Sequence, residues 1–479
     1  MDLATLLPPL SHAQLEAAQL PAHIQQPWAM TAPEEASSAS PTQGWRWQPT
    51  EASQVASLLH LAQTHLLQLA THPTDAAQLS PPLWLDLSAI KQVLEYDTAD
   101  LIVKVDAGMT VQDLQTLSAS HGHQWPFTAA ADALISDILA EERPSLETGL
   151  RGWIRERVLG LEIATPDGQL TRCGGRVVKN VTGYDLNKLY VGSHHTLGVL
   201  TKATLRLVAR PTEERHWLLG FDQLALAMAA AQDLLDSALR TQLTACEVFS
   251  QGRTAGIAEF GETLAEHRQK PWQLLIAAGG QAQELQRLEQ HIASRYATVT
   301  QSGRLQPEWA RSLKEHLSIP PKNNLVLEVA LPTRPWNLFE NLLEPLQFDK
   351  VPRRIDEKAL PGFSDVQLRP AAGLAWVLWE ADRCPEPDAF ASLFYGAGSL
   401  QTRVQTLGGF VQLLQVPTRL HTGFLALVES LNLPGDPLVR ELMLRLKTSY
   451  DPHGILYSSR LPLRPDTSLI TAATSSSTL

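Results

Sequence analysis

The stretch from Val158 to Arg210 constrains the fold most. It reads VLGLEIATPDG, then LTRCGG, then, after a glycine-punctuated segment, LGVLTKATLRLVAR. Pro166-Asp167-Gly168 is a turn signal between two β-type runs and predicts a hairpin. The stretch is also basic. Residues 151–210 hold ten Lys and Arg against four Asp and Glu, in a chain whose net charge is −11. A local basic segment in an acidic protein suits an anionic ligand such as a pyrophosphate, and equally a solvated or partner-facing surface. The overall acidity argues against nonspecific attraction to nucleic acid or to an anionic membrane.

Elsewhere the pattern changes with position. Met1 to Gly44 is rich in Ala, Gln, Ser and Pro. A short helix is expected near His12 to Leu20, and Glu34 to Thr42 reads as linker. Thr50 to Leu69 carries Val55, Leu58, Leu59, Ala62, Leu66 and Leu69 at spacings of three and four, which predicts an amphipathic helix capped by Thr50. Leu83–Leu87 and Leu101–Val105 read as strands, and Thr110–His121 as a helix. Beyond Pro211 strand–helix–strand units repeat. One runs Leu218–Phe221, Leu224–Leu239, Ala245–Phe249; the next is Gln273–Ala277, Ala282–Tyr296 and a further strand. Asn324–Leu331, a helix at Trp336–Leu346, Leu374–Trp379 and Phe410–Val416 continue the theme, which implies helices on a largely antiparallel sheet. Asp436–Thr448 is a final helix and Asp466–Leu479 a polar tail expected to be disordered. At 479 residues the chain is too long for one ordinary core.

Cysteine usage narrows the chemistry. Cys173, Cys246 and Cys384 are the only three, and no two sit at metal-ligand spacing. That excludes an iron–sulfur cluster, a cysteine-held zinc or a disulfide framework built from this chain alone. The expected compartment is reducing and cytoplasmic. Met1–Leu10 has no secretory pattern, and no run of about 18 apolar residues predicts a membrane span. The adjacent His194 and His195 lack a cysteine or carboxylate at ligand spacing, so an exposed or packed pair is favoured over a metal site. His267, His291, His316 and His421 are isolated. No catalytic residue is assigned.

The run Gly174-Gly175-Arg176-Val177-Val178-Lys179-Asn180-Val181-Thr182-Gly183-Tyr184-Asp185-Leu186, continuing through Leu189–Ser193 and Thr196–Gly198, resembles the FAD-binding domain of the vanillyl-alcohol-oxidase (PCMH) type of flavoprotein. Within that family it is most similar to the smaller flavin-type subunit of bacterial glycolate oxidases. Leu85-Asp86-Leu87-Ser88, Glu95-Tyr96-Asp97 and Val105–Thr110 look like the family's first strands. Ile154–Gly160, Leu407–Phe410 and Asp451–Leu456 resemble its later landmarks. The resemblance implies an α+β fold: a PCMH-type FAD-binding domain plus an α+β cap domain with an antiparallel sheet. The expected divisions are an extension at 1–44, the FAD-binding domain at 45–210, the cap at 211–435, a returning segment at 436–465 and a tail at 466–479. The resemblance implies FAD as cofactor, beside Gly160, Gly183, Gly192, Ser193, Gly198, Val199 and Thr201. It also implies partners, namely a larger flavin subunit and an iron–sulfur subunit. Arg155 and Lys179 are candidates for contact with an anionic substrate or phosphate.

Three places depart from the family pattern. The loop expected to hold pyrophosphate, Gln68–Ala76, contains no glycine, and its Pro73 lacks an N–H donor. The family's Thr-x-Gly-Gly loop corresponds to Leu134–Ala140, where Ser136 and Asp137 replace both glycines. His195 stands where the family has glycine. The terminal Leu-Asn-Pro-Gly-Arg pattern is also altered, to Leu456-Tyr457-Ser458-Ser459-Arg460. Two functions follow from different classes. One is an FAD-linked oxidoreductase subunit that serves 2-hydroxy-acid oxidation and passes electrons within a complex. The other is a flavin-free descendant acting as a structural or interaction subunit.

Overall fold

The computed structural model of the protein describes residues 25–29, 43–76, 79, 83–176, 184–254, 270–296, 301–321, 324–332, 364–380, 387–391, 399–417, 437–461 and several single positions besides. Gly183 and Lys179, the expected helices at 12–20 and 336–346, the linker at 34–42 and the tail at 466–479 lie outside the described residues.

The N-terminal part holds two main sheets. Strands β1 (Gln25–Ala29), β2 (Gln43–Trp47) and β3 (Leu83–Leu85) form the first, with β2 and β3 parallel. Strands β4 (Val93–Asp97), β5 (Ile102–Asp106), β7 (Val158–Ala164), β8 (Leu170–Gly174) and β9 (Val199–Arg206) form the second, in the order β4-β5-β9-β7-β8. Every neighbour in it is antiparallel. The Pro166–Gly168 turn joins β7 to β8, where Gly168 takes φ +84° and its N–H bonds the Thr165 carbonyl. A two-residue strand β6 (His123–Gln124) pairs with β10 (Val208–Ala209) beside this sheet.

Helix α1 (Ala52–Thr64) fills the space between the sheets because Val55, Leu58, Leu59 and Ala62 share one fully buried face. Each such Val or Leu contributes roughly 1.5–3 kcal/mol by leaving water. Its start and end differ from the sequence reading. Glu51 is the N-cap and its side chain caps no backbone N–H, accepting from the Ser53 hydroxyl, while Thr50 binds Gln54 instead. The helix stops five residues early because Leu66 turns to φ +53°, which frees Leu69 to pair with Leu456. Helix α2 (Val111–Ser120) matches the helix expected over Thr110–His121, and the Thr110 hydroxyl caps it by accepting the Asp113 N–H. A seven-residue helix, α3 (Ile135–Glu141), packs against β9.

The C-terminal part is built on one eight-stranded antiparallel sheet. It comprises β11 (Glu213–Phe221), β12 (Leu243–Ser250), β13 (Trp272–Gly280), β14 (Gln301–Arg304), β15 (Asn324–Ala330), β16 (Asp365–Arg369), β17 (Leu374–Glu380) and β18 (Phe410–Gln415). The order β14-β11-β13-β12-β16-β17-β15-β18 makes two four-stranded halves joined at β12 and β16 by the pairs Val248–Leu368 and Phe249–Gln367. Helices α4 (Leu224–Asp236) and α5 (Ala282–Tyr296) cover one face, contributing to a core with Trp379, Phe390 and Phe424. Helix α6 (Pro307–Ser318) covers a separate cluster through Ala310, Leu313 and Leu317.

The last described segment returns to the N-terminal part. Helix α7 (Pro437–Tyr450) carries Lys447, whose fully buried ammonium donates to the Asp451 carboxylate and to the Thr196 and Leu456 carbonyls. Asp451 in turn accepts the Ile455 and Leu456 N–H groups. Ile455 and Leu456 complete the core around α1 and the first sheet. Among the described residues no helix is long and apolar enough to cross a membrane.

Candidate functional site

The expected cofactor residues do not share one environment. Val199 is in the core around α1, and Thr201 is buried with its hydroxyl donating to the Glu162 carbonyl at 3.1 Å. A Cβ at Gly198 would meet Ile163 at 2.6 Å, and one at Gly160 the Gly175 nitrogen at 2.9 Å. Both glycines therefore serve close strand packing. Ser193 is buried and its hydroxyl donates to the Tyr190 carbonyl at 2.7 Å. Gly192, at φ +83°, borders a cavity of about 470 Å³ at the junction of the two parts. A second cleft of about 780 Å³ runs along α2, β6 and α6 and includes none of the expected residues.

The junction cavity takes one wall from Glu141, Glu142, Arg143, Gly192 and His194 and another from Glu328, Phe410, Gln412 and Leu414. Trp153, Arg155 and Arg460 also face it. Its cations are already matched. Arg155 forms a two-pronged pair with Glu142, and Glu141 accepts from both Arg143 and Arg460. Ser459 donates to Asp75 in the glycine-free loop. Glu328 accepts from the Trp376 indole at 2.8 Å and the Gln412 amide at 2.7 Å. The carriers of this network are the 72–76 loop, the end of α3, the 192–196 loop and the C-terminal segment.

Electrostatics ties these groups together. Burial alone would raise Glu141, but Arg143 and Arg460 hold its carboxyl well below the usual range. Burial lowers His194 to about 4 against the opposing pull of Glu141. Burial likewise lowers His72 and takes His195 down to about 4. Asp137 moves the other way: burial and the nearby Glu141 raise it to about 7. His195 Nε2 is buried without a hydrogen-bond partner and lies 3.9 Å from an Asp137 oxygen. With Asp137 raised to about 7 and His195 lowered to about 4, the two meet as neutral groups between those values. His194 and His195 take φ +51° and +59° in succession, a left-handed geometry that glycine adopts more cheaply than histidine. Among the described residues no group of three side chains is placed to hold a metal.

Sequence reasoning singled out Asp137, His194, His195 and Arg155. It passed over Glu141, Glu142 and Arg143, which follow the altered 134–140 loop directly. It also missed Asp75 and Ser459, whose pairing spans 384 positions.

Residues 47–174 match the FAD binding domain family. The mitochondrial D-lactate dehydrogenase [cytochrome] 1 of Saccharomyces cerevisiae is 29% identical over 175 residues, 36% of this chain and 30% of that one. D-2-hydroxyglutarate dehydrogenase of Stutzerimonas stutzeri is 27% identical over 228 residues, 45% of this chain and 48% of its own length. Glycolate oxidase subunit GlcD of Bacillus subtilis is 30% identical over 148 residues, covering 30% and 32% of the two chains. The matched part thus spans between about a third and a half of these relatives. Among solved structures, p-cresol methylhydroxylase superposes with a TM-score of 0.64 at 15% identity, over 88% of this chain and 90% of that one. A 4-ethylphenol oxidase from Gulosibacter chungangensis gives 0.63 at 14%, over 89% and 90%.

FAD brings a pyrophosphate, which needs unpaired main-chain N–H groups or unpaired cations around it. In the two stretches that the sequence reading likened to cofactor loops, 68–76 and 134–140, the N–H groups of Leu69, Ala70, Asp75, Ser136 and Asp137 donate to protein carbonyls. So do those of Gly192, Ser193, His194 and Thr196, while Leu200 N–H donates to His195 Nδ1. Arg143 and Arg460 are held by Glu141, and Asp75 and Glu141 add carboxylates. A carboxylate and a phosphate charge about 4 Å apart repel by roughly 4 kcal/mol at an effective dielectric near 20. These residues do not fit the group. Residues 47–174 nevertheless match the FAD binding domain family, the α+β fold is that of p-cresol methylhydroxylase and 4-ethylphenol oxidase, and the chain is distantly similar to D-lactate and D-2-hydroxyglutarate dehydrogenases and to a glycolate oxidase subunit.

Proposed function

We propose that this chain is one component of an FAD-linked oxidoreductase that oxidises a 2-hydroxy acid and passes the electrons onward within a multisubunit complex. The observation that carries this reading is the convergence of named relatives on one chemistry: the three described above act, by name, on D-lactate, D-2-hydroxyglutarate or glycolate. The complex we propose resembles glycolate oxidase, with a larger flavin subunit and an iron–sulfur subunit as partners.

The side chains favour a component over a self-sufficient enzyme. On the cavity wall, His194 is lowered by burial and Glu141 by two arginines, and Glu328, raised by burial, is engaged by the Trp376 indole and the Gln412 amide. A general base works best when its pKa lies near the working pH. Cys173 is buried with its thiol raised to about 11, and Cys246 is fully buried, so neither offers a ready thiolate for redox relay.

The experiment is to purify the full chain alone and together with the products of its genomic neighbours. Oxidation of glycolate, D-lactate and D-2-hydroxyglutarate would then be assayed with an artificial electron acceptor. The expected result is turnover of one of these acids by the complex and little by the chain alone. Full turnover by the isolated chain would refute the component role, and no turnover of any 2-hydroxy acid by the complex would refute the substrate class.

A further inference from the structure

We infer that the dinucleotide groove of this chain is closed from within by a latch of its own side chains, so that the flavin of the complex resides on a partner subunit. The inference rests on the reading of the chain as a component of an FAD-linked enzyme, and deepens it by assigning where the cofactor is not held.

The latch has three parts. Glu141, at the end of α3, takes the place of an anion between the guanidinium groups of Arg143 and Arg460. Asp75 receives the Ser459 hydroxyl, which ties the glycine-free loop to the same C-terminal segment. Lys447 pins the carbonyl of Thr196, next to His195, to α7 and to Leu456. Each part joins a stretch that departs from the expected cofactor-loop pattern to the segment 447–460. The cations that an anionic ligand would recruit are consumed, and the main-chain donors are turned inward. His195 completes the closure. It is 4% exposed, and its ring occupies space beside Asp137 that a glycine would leave open.

This arrangement is self-consistent without a ligand. A phosphate-binding groove emptied of its cofactor would leave arginines and N–H groups unpaired and costly to bury. Here Arg143, Arg460 and Ser459 and the N–H groups of Leu69, Ala70, Asp75, Ser136, Asp137, Gly192, Ser193, His194 and Thr196 have protein acceptors, while His195 Nε2 has none. Internal carboxylates have replaced the phosphates as counter-charges.

Two measurements test the latch on the full chain. The first is FAD itself: visible absorption of the purified protein, then thermal denaturation with and without a large excess of added FAD. The expected result is a colourless protein whose melting temperature does not move. Co-purified flavin near one per chain, or a rise of several degrees with FAD, would overturn the inference. The second is hydrogen exchange on Arg460→Gln. A latch residue should release the 451–461 backbone, with at least tenfold faster exchange there and no change in flavin content. A phosphate-binding arginine would instead leave that exchange unchanged and lower retained flavin, which would overturn the proposal. The outcomes separate from those of the functional reading. A colourless chain whose complex oxidises no 2-hydroxy acid keeps the latch and removes the function. A flavin-loaded chain in an active complex does the reverse.

Discussion

Asp137 and His195 show how one pair of side chains can carry opposite pH dependences. Asp137 is raised from 3.8 to about 7 by burial and by Glu141, so the folded protein holds more protons than the unfolded one across that window. Its contribution is full below about 4 and is lost as pH rises towards 7. Asp137→Asn should therefore gain stability relative to wild type over that range, by on the order of 3 kcal/mol, read as urea midpoints from pH 4 to 8. A difference that stays flat with pH would contradict the raised carboxyl. His195 behaves inversely. Burial lowers it from 6.5 to about 4, so its contribution is present above 6.5 and lost as pH falls through 4. His195→Gln should gain on wild type on the acid side, and a variant that tracks wild type down to pH 4 would show the imidazole is not buried neutral. Both residues stand out in the sequence as departures from a glycine pattern. Their protonation does not, because it depends on Glu141 and on burial that no local pattern reveals.

Elements whose signals are local were legible, and those set by distant partners were not. The Pro-Asp-Gly turn fixed the β7–β8 hairpin, and Thr110 marked the start of α2 by the bond its hydroxyl makes. The strand–helix–strand rhythm beyond Pro211 gave α4, α5 and the antiparallel sheet. The end of α1 misled because Leu66 and Leu69 continue a helical spacing while the backbone leaves the helix to meet Ile455 and Leu456. Helix α3 went unread since its seven residues hold less than one repeat of a clear apolar stripe. The α7 anchor is likewise long-range. Lys447→Met would leave Asp451 buried and uncompensated, and should cost about 3–5 kcal/mol, with faster hydrogen exchange at residues 451–456. A loss below about 1 kcal/mol would mean that the pair is solvated.

Across the molecule, the two parts meet at tight and charged contacts. Gly149, at φ +83°, lies so close to the cap that a Cβ would come within 2.1 Å of the Ala371 carbonyl oxygen. Gly149→Ala should cost roughly 1–3 kcal/mol in denaturant unfolding; a neutral result would show the junction yields. Arg369 bridges the same junction, pairing with buried Glu247 at 3.2 Å and donating to the Pro144 carbonyl. The cavity sits at this junction, and the charges around it come from positions near 75, 141, 194 and 460, which the fold alone gathers. An altered glycine loop was visible in sequence, but the pairing of its neighbours Glu141 and Asp75 with Arg460 and Ser459 was not. The central claim is that a flavin-type fold here serves an FAD-linked enzyme without holding its flavin. The most direct measurement is the flavin content of the native complex after its subunits are separated without denaturation. The account predicts flavin on the partner and none on this chain; one FAD bound per copy of this chain would contradict it.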